Sequence, residues 1–130
     1  MSDPQSVVES FLGHCGADEV EQAVALLDPA IEWRNTGMPT VRGARVAQML
    51  RDMPRRGVGF DVEMKHIAAT GSTVLTERTD ILTFKRFRMS FWVAGTFEVR
   101  DGLIVLWNDH FNWGGFTWAA LKGLGATVRR

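Results

Sequence analysis

Up to Pro54 the apolar residues of this chain recur every three or four positions, and beyond it they recur every second position. That is a change from the helical to the strand period. Asp3 before Pro4, followed by Val7, Val8, Phe11 and Leu12, predicts a first amphipathic helix that runs to Gly13. Asp18 and Glu21 have the spacing of a capping box, and Val20, Ala23, Val24 and Leu27 form the stripe of a second helix closed by Pro29. Residues 31–35 read as a short strand and 36–39 as a turn. Val46, Met49, Leu50 and Met53 mark a third helix ending at Pro54.

Four extended runs follow, at 60–70, 73–84, 87–100 and 103–113, separated by Gly71-Ser72, Lys85-Arg86 and Asp101-Gly102. Short polar turns between alternating segments predict hairpins, Asp-Gly most strongly, so the four runs form an antiparallel meander. Gly114-Gly115 breaks the last run, and 116–122 could form a final helix or lid. Helices first and a long sheet afterwards define an α+β fold. Strands this long should twist and bend, and the inside of the bend is the natural pocket.

Composition narrows the function. The 130 residues suit one domain, spanning 1–130, and 45% hydrophobic with 23% charged residues is a globular balance. Fifteen basic and fifteen acidic residues cancel, giving no overall field to attract nucleic acid or an anionic membrane. Cys15 is the lone cysteine, which excludes an internal disulfide and a cysteine-based zinc site. The N-terminus lacks the pattern of a signal peptide, so a cytoplasmic protein is expected. There is no tyrosine, against five Trp and eight Phe, so mechanisms that need a phenol are excluded.

Sorting the strands by parity picks out the candidate chemistry. One face of the last run reads Leu103, Val105, Trp107, Asp109, Phe111, Trp113, placing a carboxylate among large apolar groups. Burial raises such a carboxyl's pKa unless a cation or donors offset it. The even face of the second long run reads Val74, Thr76, Arg78, Asp80, Leu82, Phe84 and offers both a cation and a second carboxyl. With Arg78 between Asp80 and Asp109, one shared proton would let one carboxyl act as acid and the other as base. The plain alternative is a structural ion network. Trp33 and Asn35 share a strand face, so an indole N–H and a carboxamide could hold a water against Asp109.

Trp33-x-Asn35 with Met38-Pro39, then Glu77-Arg78-Thr79-Asp80, then Trp107-Asn108-Asp109-His110-Phe111 resemble, in order and spacing, the motifs of the limonene-1,2-epoxide hydrolase family. The resemblance covers residues 4–123. It implies a small, strongly curved mixed or antiparallel sheet with N-terminal helices on it. Such a cystatin-like or nuclear transport factor 2-like cone encloses a deep apolar pocket, and the protein would be a homodimer without metal or organic cofactor. It also implies roles: Asp109 as the base that takes a proton from water, Asp80 as the acid that protonates the epoxide oxygen, Arg78 as the bridging cation, and Asn35 as a residue that orients the water. Trp33 stands where the family has a tyrosine, which leaves the water to Asn35 and Asp109.

The implied reaction adds water to a lipophilic epoxide, terpene, fatty-acyl or steroid-like, to give a vicinal diol, with small apolar epoxide and water as partners and neither nucleic acid nor membrane. Met38, Leu82, Phe91, Phe111 and His66 are candidate pocket residues. His66 shares the parity of Phe60, Val62 and Met64, and reads more simply as a core or rim histidine. The three histidines share no metal-ligand spacing, so no metal is expected. Two rivals remain. An epoxide-opening polyether or polyketide cyclase would use a substrate hydroxyl in place of water, and a non-catalytic module would simply hold an apolar ligand.

Overall fold

A computed structural model describes residues 3–129 of the chain. Its elements run α1 (Pro4–Gly16), α2 (Val20–Val24), β1 (Leu27–Asn35), β2 (Val41–Arg42), α3 (Ala44–Arg55), β3 (Val58–Thr70), β4 (Thr73–Phe84), β5 (Phe87–Arg100), β6 (Leu103–His110) and α4 (Trp113–Arg129). The strands form one open sheet in the order β2-β1-β6-β5-β4-β3. The meander β3 to β6 is antiparallel throughout, whereas β1 lies parallel to β6 and pairs with the short β2 on its other side. The mixed α+β architecture is the one expected.

α1 starts where its cap predicts. The Asp3 carboxylate accepts from the Ser6 N–H at 2.8 Å, and Pro4 sits at the first helical position. The helix runs three residues past Gly13, and its buried stripe of Val7, Val8, Phe11 and Leu12 packs on the sheet with Val74, Phe97, Val99, Ile104 and Trp107. This is the main core.

Other boundaries differ from the expectation: β3 starts at Val58, α4 runs to Arg129 and not 122, and three further differences have a local reason each. The second helix is only five residues long, because Asp18 takes a left-handed conformation (φ 59°) and Glu19 caps without a side-chain bond, so no capping box forms. Leu27 instead opens β1, and Pro29 is tolerated inside that strand because the β1–β6 ladder is interrupted between Leu27 and Glu32. β6 stops at His110, where Asn112 accepts from the N–H groups of Gly114 and Gly115 at 2.8 and 3.2 Å and starts α4 three residues before the predicted position.

The parity sorting fails at two bulges. A register shift between Glu98 and Val99 of β5 lets Ile104 and Trp107 both turn inward on β6, so Ile104 joins the core and not Leu103 or Val105. A second shift on β3, between Met64 and His66, turns His66 outward. Its side chain is 81% exposed, so this residue does not reach the pocket.

Candidate active site

Register partners on neighbouring strands carry their side chains on the same face. Two such rows cross the helix-covered face. One runs Val74, Phe97, Trp107, Trp33 over β4, β5, β6 and β1; the next runs Thr76, Gly95, Asp109, Asn35 over the same four strands. The first row is an aromatic wall. Trp33 stacks on Trp107 with ring centroids 4.2 Å apart and planes 9° apart, while Phe97 lies on the other side at 6.3 Å. The second row is polar and has a gap in it. Gly95 has no side chain, and the Arg78 guanidinium fills that space: a Cβ at position 95 would stand 2.5 Å from Arg78 Nη1, 2.8 Å from Thr76 Oγ1 and 2.9 Å from Asp109 Oδ1.

Arg78 is completely buried and spends its donors on three neighbours. Nε donates to Asp80 Oδ1 at 2.7 Å and Nη2 to Asp80 Oδ2 at 3.1 Å, a fork-on-carboxylate pairing. Nη2 also reaches Asp109 Oδ2 at 2.7 Å, and Nη1 donates to Thr76 Oγ1 at 3.1 Å, whose hydroxyl passes a bond to the Gly95 carbonyl. The guanidinium lies 5.9 Å from the Phe97 ring centre. Asp109 Oδ1 and the indole Nε1 atoms of Trp33 and Trp107 are buried and hydrogen-bond to no described group.

Burial pushes both carboxyls above the ordinary aspartate range. For Asp80 the opposing pull is the Arg78 hydrogen bonds and charge. For Asp109 the Arg78 charge and bond oppose, Asp80 adds repulsion, and the Trp107 indole gives the smallest relief. Burial alone would lower Arg78, but the two carboxylates hold it above its usual value. Two carboxyls that resist ionisation beside one fixed cation favour a state in which they hold one proton between them.

Asp80 and Asp109 line a cavity of about 350 Å³. Its polar lining beyond Asp80 and Asp109 is confined to Asn35, Cys15 and Asp18, and the rest is apolar or aromatic. Of the residues singled out from sequence, Asp80, Asp109, Asn35, Trp33, Met38, Leu82, Phe91 and Phe111 all line it, Arg78 lies beneath it, and His66 is absent. Sequence reading missed Gly95 and Thr76. A glycine inside a strand signals close approach, which in this sheet is that of the guanidinium. It also missed the outer wall from Met49, Leu50 and Met53 of α3 and Phe116 of α4, and it missed Cys15, whose thiol burial pushes up to about 12. Among the described residues no group of three His, Cys, Asp or Glu side chains is placed to hold a metal ion.

A six-stranded mixed sheet with helices over a pocket is the nuclear transport factor 2-like fold. A putative polyketide cyclase from Pseudomonas putida KT2440 shares it, with a TM-score of 0.76 at 16% identity over 92% of this chain and 99% of that one. The family model described as the limonene-1,2-epoxide hydrolase catalytic domain matches residues 2–120. The chain is 42% identical over 122 residues to epoxide hydrolase EphG of Mycobacterium tuberculosis (strain ATCC 25618 / H37Rv), covering 93% of this chain and 81% of that protein. It also superimposes on the structure of an M. tuberculosis LEH-like epoxide hydrolase with a TM-score of 0.92 at 40% identity, over 96% and 94% of the two chains. The protein therefore belongs to the limonene-1,2-epoxide hydrolase family and is an enzyme of that type.

Proposed function

We propose that this enzyme adds water to a lipophilic epoxide and releases a vicinal diol in one step, without a metal or organic cofactor. Asp109 is the base, Asp80 the acid and Arg78 the cation that lets the two carboxyls hold opposite protonation states a few ångströms apart. The observation that carries this reading is the asymmetry of Asp109, a residue of the cavity lining: Oδ2 is tied to Arg78 at 2.7 Å, while Oδ1 is buried and accepts from no described group.

The chemistry suits that asymmetry. An epoxide opens with a poor alkoxide leaving group, so a proton delivered to oxygen as water attacks carbon lowers the barrier, each proton transfer contributing roughly 10²- to 10⁴-fold. Asp80 supplies that proton from Oδ2, the oxygen Arg78 holds less tightly at 3.1 Å. Asp109 Oδ1 takes the proton from water. Asn35, its register partner on β1, can both accept from and donate to the same water, and Trp33 Nε1 is a spare donor on the same strand face. The Trp33 N–H stands in for the hydroxyl of the family's tyrosine. After ring opening the proton on Asp109 returns to Asp80, restoring the resting pair.

Attack comes from the face opposite the departing oxygen, which inverts the carbon and leaves no covalent enzyme intermediate. A volume near 350 Å³ is at the small end of ligand pockets and suits a substrate of about a dozen non-hydrogen atoms better than a whole steroid or long acyl chain. Met38, Leu82, Phe91 and Phe111 contact it. The functional unit is a homodimer, which native mass spectrometry reads directly.

The test is diol formation from a panel of lipophilic epoxides in ¹⁸O-labelled water. One labelled oxygen per diol, at the inverted carbon, is expected from the intact protein and none from Asp80→Asn or Asp109→Asn. Unlabelled cyclic ethers from hydroxy-epoxides would assign the site to cyclisation instead, and turnover that survives either substitution would strip the two carboxyls of their roles as acid and base.

A further inference from the structure

The neutral total charge is an average over a very uneven distribution. Residues 81–97 and 111–128 contain four Lys and Arg and no Asp or Glu. The fold brings these two segments together. α4 lies along β5: Phe116 packs on Phe91 at 4.9 Å, Gly123 sits so close to Arg88 that a Cβ would stand 2.5 Å from its carbonyl oxygen, and the Thr127 hydroxyl donates to the Arg86 carbonyl. The turn before β3 joins the same region, since Gly57 abuts the Phe84 ring and Arg56 beside it is exposed.

α4 is amphipathic in an unusual sense. The face carrying Phe116, Ala119 and Gly123 packs inward, yet the outward face carries Trp118, Leu121, Leu124 and Val128, each between 54% and 88% exposed. Phe84, at the β4–β5 tip, is exposed as well. The cations lie over these apolar groups: Lys122 Nζ is 5.8 Å from the Trp118 ring centre and Lys85 Nζ 5.4 Å from that of Phe84. Apolar side chains at the surface, a tryptophan among them and lysines with long stems at their edge, are the make-up of an element that lies in a lipid interface. No described helix is long and apolar enough to cross a bilayer, so such contact is with the surface.

We propose that the outward face of α4, with the β4–β5 tip and Arg56, docks on anionic lipid bilayers. Charge complementarity selects the occupant: the exposed Lys85, Arg88 and Lys122, with no acidic residue in either segment, fit phosphate headgroups, with the apolar ridge entering the acyl boundary. The consequence for the enzyme is in the first turn of the same helix. Trp113 and Phe116 line the cavity, so the bound face borders the pocket mouth and an apolar substrate passes from bilayer to site with little exposure to water.

Co-sedimentation of the full chain with vesicles tests this without any turnover, so it stands or falls apart from the epoxide reading. Vesicles of phosphatidylcholine with one-third phosphatidylglycerol should bind the protein, and phosphatidylcholine alone or high salt should release it. Lys122→Ala should weaken binding about fivefold, the factor for one lysine at an anionic surface. Trp118→Ala with Leu121→Ser should weaken it about tenfold or more, with circular dichroism and melting unchanged because both side chains are outside the core. Absence of binding to the anionic vesicles, or binding indifferent to these substitutions, overturns the proposal. So does a native mass showing that Trp118→Ala with Leu121→Ser splits a dimer of a protein that ignores vesicles, which would assign this face to a second copy.

Discussion

Glu77 and Arg78 are neighbours on β4 and serve two hydrogen-bonded trios on opposite faces of one sheet. On the open face, Glu77 accepts from the Trp92 indole and pairs with His66 Nδ1, both at 2.9 Å. On the covered face, Arg78 joins Asp80 and Asp109 at 2.7 Å each. Distances are alike, and the electrostatics are opposite. The Trp92 hydrogen bond, then His66, draws Glu77 below its ordinary value, whereas burial drives Asp80 and Asp109 above theirs. A hydrogen-bonded charge in water is simply stabilised. The same charge under helices and an aromatic wall is pushed toward its protonated form.

The sharpest way to break that contrast is kinetic. Asp109→Asn should lower kcat/KM for a lipophilic epoxide by about 10³-fold, and Glu77→Gln by less than about twofold, measured on the same substrate. Equal effects would show that burial does not separate the two trios.

Stability comes next. Arg78→Ala leaves two buried carboxyls without their cation and should cost about 3–5 kcal/mol in denaturant unfolding. His66→Ala removes a partner from an exposed pair and should stay within about 0.5 kcal/mol.

Gly95→Ala probes the gap that admits the guanidinium. The added methyl meets Arg78, Thr76 and Asp109 at once, none of which is free to retreat. A loss of about 1–3 kcal/mol is expected, with a fall in kcat that exceeds any change in KM.

The smallest effect has the most telling sign. Asp80 and Asp109 are raised above 3.8, so the stability they contribute is present below that pH and is lost as pH rises through their raised values. Glu77 is lowered below 4.5, so its contribution is present above that pH and is lost as pH falls through its lowered value. Melting curves from about pH 3 to about pH 7 should show Asp80→Asn reducing the first slope and Glu77→Gln the second.

Much of this was legible in the chain itself. The switch of period at Pro54, the hairpin turns and the Asp3-Pro4 start located most elements, because these signals are local. Parity on β4 placed Arg78 and Asp80 on one face correctly, since that strand is regular from end to end. Parity alone failed for His66, Leu103 and Val105, because a bulge is a property of the pairing between strands and leaves no mark in one strand's alternation. Gly95 and Thr76 were hidden for a similar reason: their importance lies in a row that crosses four strands.

The parallel pairing of β1 with β6 fixes the order of events during synthesis. The meander can zip strand by strand as it leaves the ribosome, but Asn35 waits for Asp109 and the backbone of Thr36 for the carbonyl 73 positions later. A nascent chain therefore cannot complete the pocket until its last strand has emerged, and the closing of that one seam is what brings Asn35 beside Asp109.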